Sequence, residues 1–317
     1  MFRDYDYIQT FDDMIFIVRG DDHSIKSVHC TPVYIPNKNG DHIDKRTGQR
    51  YIKKVDEYPT HDSIVAKLHP EYFPALNDIK NTYVIPVSDI KKIFHPREKT
   101  REILEDNNVD LVWKNVIKNL SLISEISLED IGIYGSRLLN LENKDSDVDI
   151  VIYGFDNFRK LKLHFDDVLS ASEIRKPSLQ QRIKRIASWD KYSVINQEKL
   201  LQMELRRWSR INVYRDEITS IRFAYDDEEI PNRINLPPIS REVNLRGTVL
   251  DSEKTNFCPH IAKVNIKGEE VFVISYGFLF FSCVRDFDKV EVLGNLRIGH
   301  DNTYITLDEA YHYITPV

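Results

Sequence analysis

The chain has 317 residues, 41% of them hydrophobic and 30% charged, with a net charge of −6. That balance excludes a disordered chain, and the length predicts two or three folded units. No stretch approaches the ~18 uninterrupted apolar residues of a membrane span, and Met1 to Asp6 carries charges where a leader turns apolar, so a cytoplasmic protein with no membrane partner is expected. Cys30, Cys258 and Cys283 are far apart and lack the paired spacing of a zinc site, and they read as small buried hydrophobes.

From Met1 to residue 95 the pattern predicts a small α+β unit. Asp13–Arg19, Ser27–Ile35 and Tyr83–Val87 read as strands, and Pro36–Gly48 as a polar loop. His23, His29 and His42 are single histidines, and nothing in this unit has the spacing of a catalytic centre. Residues 96–235 predict a second unit, a mixed sheet flanked by helices. Pro96–Ser124 is helical in two pieces broken near Asn107 and Asn108, and Ile131–Tyr153 is a tight β-turn-helix-β passage. Helical patterns then run over Phe155–Ser170, Ser178–Tyr192 and Gln197–Arg210, before a strand at Ile218–Tyr225. Pro231, Pro237 and Pro238 mark a linker. Residues 236–317 then read as strands at Arg241–Leu250, His260–Ile266, Glu270–Phe281 and Lys289–Ile298, which predicts an all-β barrel or sandwich.

Charge is unevenly spread. Asn157–Arg222 holds fifteen Lys and Arg against eight Asp and Glu, a local excess of +7, whereas the remainder of the chain stands at −13. Arg182, Lys184, Arg185, Arg206, Arg207 and Arg210 lie in this basic stretch with Trp189 and Trp208 between them. Cations beside aromatic rings suit the phosphates and bases of a single-stranded nucleic acid, so an RNA, such as a tRNA, is an expected partner. The two tryptophans also fit helical apolar patterns and read equally as core.

The passage richest in chemistry is Ile131–Gly154. An apolar strand runs into Gly135-Ser136, and after ten intervening residues Asp147-Val148-Asp149 opens a second apolar strand. Gly135 lets a phosphate approach the backbone, Ser136 is a natural helix N-cap, and Arg137 could neutralise phosphate charge. Residues two apart on a strand share a face, so Asp147 and Asp149 form a pair of carboxylates that repel unless a cation sits between them. Hard oxygen ligands of this kind suit Mg²⁺ or Mn²⁺.

Strand, Gly-Ser, about ten residues, then Asp-hydrophobic-Asp resembles the signature of the DNA polymerase β nucleotidyltransferase superfamily. Phe2–Asp6, Asp145-Ser146-Asp147, Val151–Gly154, Arg207-Trp208 and the β-rich tail are also similar to a family of archaeal nucleotidyltransferases to which no substrate is assigned. The resemblance implies an α+β multidomain enzyme with a central polymerase β-like domain, which uses metal held by Asp147 and Asp149 to move a nucleoside monophosphate from a nucleoside triphosphate to a hydroxyl, such as that of an RNA end, with release of pyrophosphate. It also implies a third acid on a later strand. Arg222 interrupts the strand where that acid is expected; Asp216, Glu217, Asp226 and Asp227 flank it, and Glu217 shares a face with Ile221. Without a third acid the same fold would serve as a nucleotide- or RNA-binding module, and a protein acceptor is the third alternative.

Overall fold

The computed structural model describes residues 2–21, 23–55, 58–73, 82–106, 111–143, 146–171, 174–187, 189, 194–212, 218–230 and 234–317. It is a mixed α+β structure with three sheets. The first sheet holds β1 (Tyr7–Thr10), β2 (Ile15–Val18), β3 (Ser27–Pro36), β4 (His42–Ile43), β5 (Arg50–Lys53), β6 (Tyr83–Pro86) and β7 (Ile90–Phe94), with a short helix α1 (Ile64–Leu68). Its path is β4-β5-β3-β2-β1-β7, and β6 pairs with β3. Both faces of β3 are buried: Val28, Cys30 and Ile35 join one cluster, and Val33 and Tyr34, where the register with β2 shifts, join another that includes the site.

Next come the helices α2 (Pro96–Glu105) and α3 (Leu111–Ser124); the break expected at Asn107 and Asn108 lies outside the described residues. The second sheet holds β8 (Ile131–Tyr134), β9 (Asp149–Tyr153), β10 (Arg210–Asn212) and β11 (Ile218–Ala224) in the order β10-β11-β9-β8. β9 is antiparallel to β8 and parallel to β11, the latter through the crossover that contains α4 (Phe155–Ala171), α5 (Leu179–Ala187) and α6 (Gln197–Arg206).

Period-two alternation divides this sheet into two faces. Ile131, Ile133, Ile150, Ile152, Ile221 and Phe223 pack beneath α3 and α4. Tyr134, Val151, Tyr153 and Ala224 point the other way and pack against Tyr5, Tyr7, Val33 and Tyr34 of the first unit. Asp149 pairs with Tyr134 and lies on this second face, so the site is covered by the N-terminal sheet. Gly132 keeps α2 close: a Cβ there would stand 2.6 Å from Pro96 Cβ and 2.8 Å from Val151 Cγ1.

The third sheet comprises β12 (Arg241–Asp251), β13 (His260–Ile266), β14 (Glu269–Ser275), β15 (Lys289–Ile298), β16 (Thr303–Thr306) and β17 (Tyr313–Pro316). Pairing runs β12-β13-β14-β16-β15 and returns to β12, which closes a five-stranded barrel. β17 adds to β15 along Val290–Leu293. Of the barrel and sandwich expected for this tail, the barrel is found. The linker residues Ile234 and Leu236 pack on its outer surface with Ile261, Phe272 and Tyr304.

Three elements differ from the sequence expectation. The strand expected over Glu270–Phe281 stops at Ser275, and Phe278–Phe280 forms a 3-10 turn instead. The helix expected to Arg210 ends at Arg206, because Arg207 and Arg210 turn inward to a buried carboxylate and Arg210 begins the edge strand β10. No helix follows Ser136; residues 135–140 form turns, and β9 begins at Asp149 rather than Asp147.

Candidate functional site

Gly135 ends β8 in the left-handed region at φ +74°, and a Cβ there would lie 2.6 Å from Asp149 Oδ2. The absent side chain is therefore the space that the Asp149 carboxylate fills. The turn that follows is closed by Leu141 N–H donating to the Ser136 carbonyl at 2.9 Å. Arg137 points back along its own chain. Its Nη2 donates to the Ser146 carbonyl at 2.9 Å and its Nε to the Asp147 carbonyl at 3.2 Å, so it fastens the segment that carries the aspartates.

Burial raises the Tyr34 hydroxyl pKa, and the charges of Asp149 and Asp147 raise it further. Tyr134 and Tyr7 are likewise raised, first by burial, with Asp149 contributing to each. Asp147 and Asp149 are both half-buried, and two carboxylates are a donor set that fits one hard divalent ion. Among the described residues no cluster of three or more His, Cys, Asp or Glu is placed to hold a metal. Glu217 and Asp216, which the sequence offers for the third acid, lie outside the described residues. Asp226 and Asp227 are engaged at the far end of β11 with Arg97 and Arg3.

A cavity of about 220 Å³ opens in front of Gly135 and Asp149. Tyr7, Tyr34, Val33 and Lys53 of the first sheet form one wall, and Phe278 and Leu279 of the barrel another. Its cations are Lys53, Arg185, Arg207, Arg210 and Arg222, and Asp149 is the carboxylate among the described lining. Behind this wall lies Glu204, fully buried, with Arg207 Nη1 at 2.6 Å, Arg210 Nε at 3.2 Å and Arg182 Nη1 at 3.7 Å. Burial alone would raise the Glu204 pKa, but Arg210, Arg207, Arg185 and Arg182 overcome it and hold the carboxyl at about 2.

The basic residues singled out from sequence therefore do not share one surface. Arg182 is buried and donates to the Glu204 carbonyl at 2.7 Å, and Arg206 pairs with Asp288 of the barrel at 3.0 Å. Arg207 is buried and donates to the carbonyls of Leu279 and Phe281. Lys184 is exposed, and Arg185 lines the cavity. Trp208 stacks on Phe223 with ring centroids 5.7 Å apart, as a core residue does, whereas Trp189 faces the cavity.

Sequence reasoning passed over Tyr7, Tyr34 and Lys53, which line the cavity from the N-terminal sheet. For Tyr34 the signal is the apolar strand β3, which says that a face is buried and not what it covers; Tyr7 on β1 and Lys53 on β5 lie outside the strands read from the sequence.

Residues 114–219 match the model of the nucleotidyltransferase domain family. The chain is 27% identical over 177 residues to an uncharacterized protein of Methanocaldococcus jannaschii. That match takes in 51% of this chain and 52% of the other, so the chain spans about half the length of this curated relative. No solved structure matches the chain.

Proposed function

Because residues 114–219 belong to the nucleotidyltransferase domain family, we propose that the protein transfers a nucleoside monophosphate from a nucleoside triphosphate to a hydroxyl and releases pyrophosphate. The observation that carries this reading is the contact of Gly135 with Asp149: the turn that follows β8 lies directly against the carboxylate that leads β9.

Asp147 and Asp149 would hold Mg²⁺ or Mn²⁺, which when bound supplies positive charge to the phosphate oxygens as charge shifts onto the leaving group. The chain's own residues do the positioning. Arg137 ties down the carbonyls of Ser146 and Asp147, so the first carboxylate is presented from a braced segment. Ser136, half-buried at the turn, offers a hydroxyl and a backbone N–H to the triphosphate. The sheet core under β9 fixes Asp149 to a rigid strand. In the transfer the acceptor oxygen bonds to the α-phosphorus, the bond from that phosphorus to the bridging oxygen breaks, and pyrophosphate departs with the electron pair.

The test is to incubate the purified chain with each of four α-labelled nucleoside triphosphates, Mg²⁺, and total RNA or a small-molecule extract, and to follow pyrophosphate. The expected result is pyrophosphate release with label on an acceptor, lost by ~10³-fold in Asp149→Asn and Asp147→Asn. No release under any of these conditions would refute the reading. Arg222 on the aspartate-bearing face of β11 favours a second reading, nucleotide binding without turnover, and tight triphosphate binding with no product would select it.

A further inference from the structure

Asp149 has unlike neighbours on its two sides. On the β8 side stands the Gly135-Ser136 turn, where the proposed function places the donor phosphates. On the other side is β11, whose Arg222 pairs with Val151 and so shares the face of Asp149. The arginines of the cavity all come from this second side, from α5, the end of α6, β10 and β11. Counting Glu204 behind the wall, five cations face two carboxylates among the described residues.

Arg222 is the decisive member. It is 8% exposed, and its Nε and Nη1 are buried with no hydrogen-bond partner. Its guanidinium lies 4.0 Å from the centre of the Phe281 ring, which holds the plane without satisfying the N–H groups. Both it and Asp149 line the cavity. A buried guanidinium with unmet donors is costly to the folded chain, and a bound oxyanion relieves that cost. Arg207 and Arg210 are ion-paired with Glu204 and supply charge around the seat, and Arg222, which has no such carboxylate among the described residues, lines the cavity with two unpaired, buried nitrogens.

We propose that this cavity is the acceptor site, and that the acceptor is a small molecule carrying its own phosphate group, seated on Arg222 with its hydroxyl toward Asp149. The assignment of a donor and an acceptor side rests on the transfer reading above. The phosphate seat itself is a property of the apo protein and needs no metal. A cavity of about 220 Å³ has room for a group the size of a phosphorylated sugar.

Calorimetric titration of the full chain without divalent ions, using inorganic phosphate, ribose 5-phosphate, ribose and a short oligoribonucleotide, tests this. Phosphate and ribose 5-phosphate bind and ribose does not. Arg222→Gln weakens both by about 10- to 100-fold, the worth of a charge-assisted hydrogen-bonded pair. Arg222→Lys, which keeps the charge, retains part of the affinity and shows that loss in the glutamine variant is not misfolding. Undiminished binding in Arg222→Gln, or no phosphate binding by the unaltered chain, overturns the seat. An oligoribonucleotide that binds more than ten times tighter than ribose 5-phosphate overturns the small-molecule assignment. Mg²⁺-dependent binding of a non-hydrolysable triphosphate, measured alongside, reports on the donor side: its loss in Asp147→Asn with the phosphate seat intact, or the reverse, separates failure of one reading from failure of the other.

Discussion

Gly135→Ala perturbs the site at its tightest contact. The residue sits at φ +74°, where a Cβ costs roughly 1–2 kcal/mol in the backbone alone. That Cβ would stand 2.6 Å from Asp149 Oδ2, closer than any relaxed contact, so the carboxylate must leave its rotamer at a further ~0.5–1.5 kcal/mol. The expected loss is about 2–3 kcal/mol of stability, with transfer reduced by ~10²-fold or more because Asp149 is displaced by a sizeable fraction of an ångström. A double-mutant cycle isolates the contact. Chemical denaturation of Gly135→Ala, Asp149→Ala and the double variant should show coupling of more than ~0.5 kcal/mol, since removing the carboxylate leaves only the backbone term. If the two losses add to within ~0.3 kcal/mol, the alanine methyl does not meet Asp149 and the packing argument fails.

Glu204→Gln should destabilise the protein by ~3–5 kcal/mol in denaturant melts, because Arg182, Arg207 and Arg210 would face one another with the counter-charge gone. With its folded pKa near 2 against an ordinary 4.5, Glu204 contributes stability that is present above pH 4.5 and is lost as pH falls toward 2; the variant should lack that part of the acid transition. Asp21 behaves in the opposite sense. Burial first, and then the neighbouring Asp4, raise its pKa from 3.8 to about 7, so its contribution is complete below pH 3.8 and is lost as pH rises through 7. Asp21→Asn should flatten the decline between those limits, a span worth on the order of 4 kcal/mol, and melt above the unaltered chain at pH 8.

The elements that the sequence revealed best are those with a long period or a complete local signature. β3, α2, α3, α4 and β13 follow alternation or helical spacing over enough residues to set their bounds. Gly135 and Asp149 are legible because a glycine corner and a strand-leading aspartate are close in sequence and in space. What eluded sequence reasoning is what only long-range packing decides. Arg207 and Arg210 read as the end of a basic helix, but the pull of one buried glutamate 3 and 6 residues earlier turns them into a wall of the cavity. Arg222 reads as an interruption in a strand; its meaning depends on the register that sets it beside Val151. Arg137 offers charge toward phosphate in the sequence, and the fold instead spends it on two backbone carbonyls. Tyr7 and Tyr34 come from a unit with no motif at all, and reach the site only because the outer face of the β8–β11 sheet needs a cover.

The most direct measurement is paramagnetic resonance of Mn²⁺ titrated into the protein with a non-hydrolysable nucleoside triphosphate. Tight Mn²⁺ binding that requires the triphosphate and falls by at least ~10-fold in both Asp147→Asn and Asp149→Asn is the predicted result. Mn²⁺ binding unchanged in the Asp149→Asn variant would contradict the account at its centre.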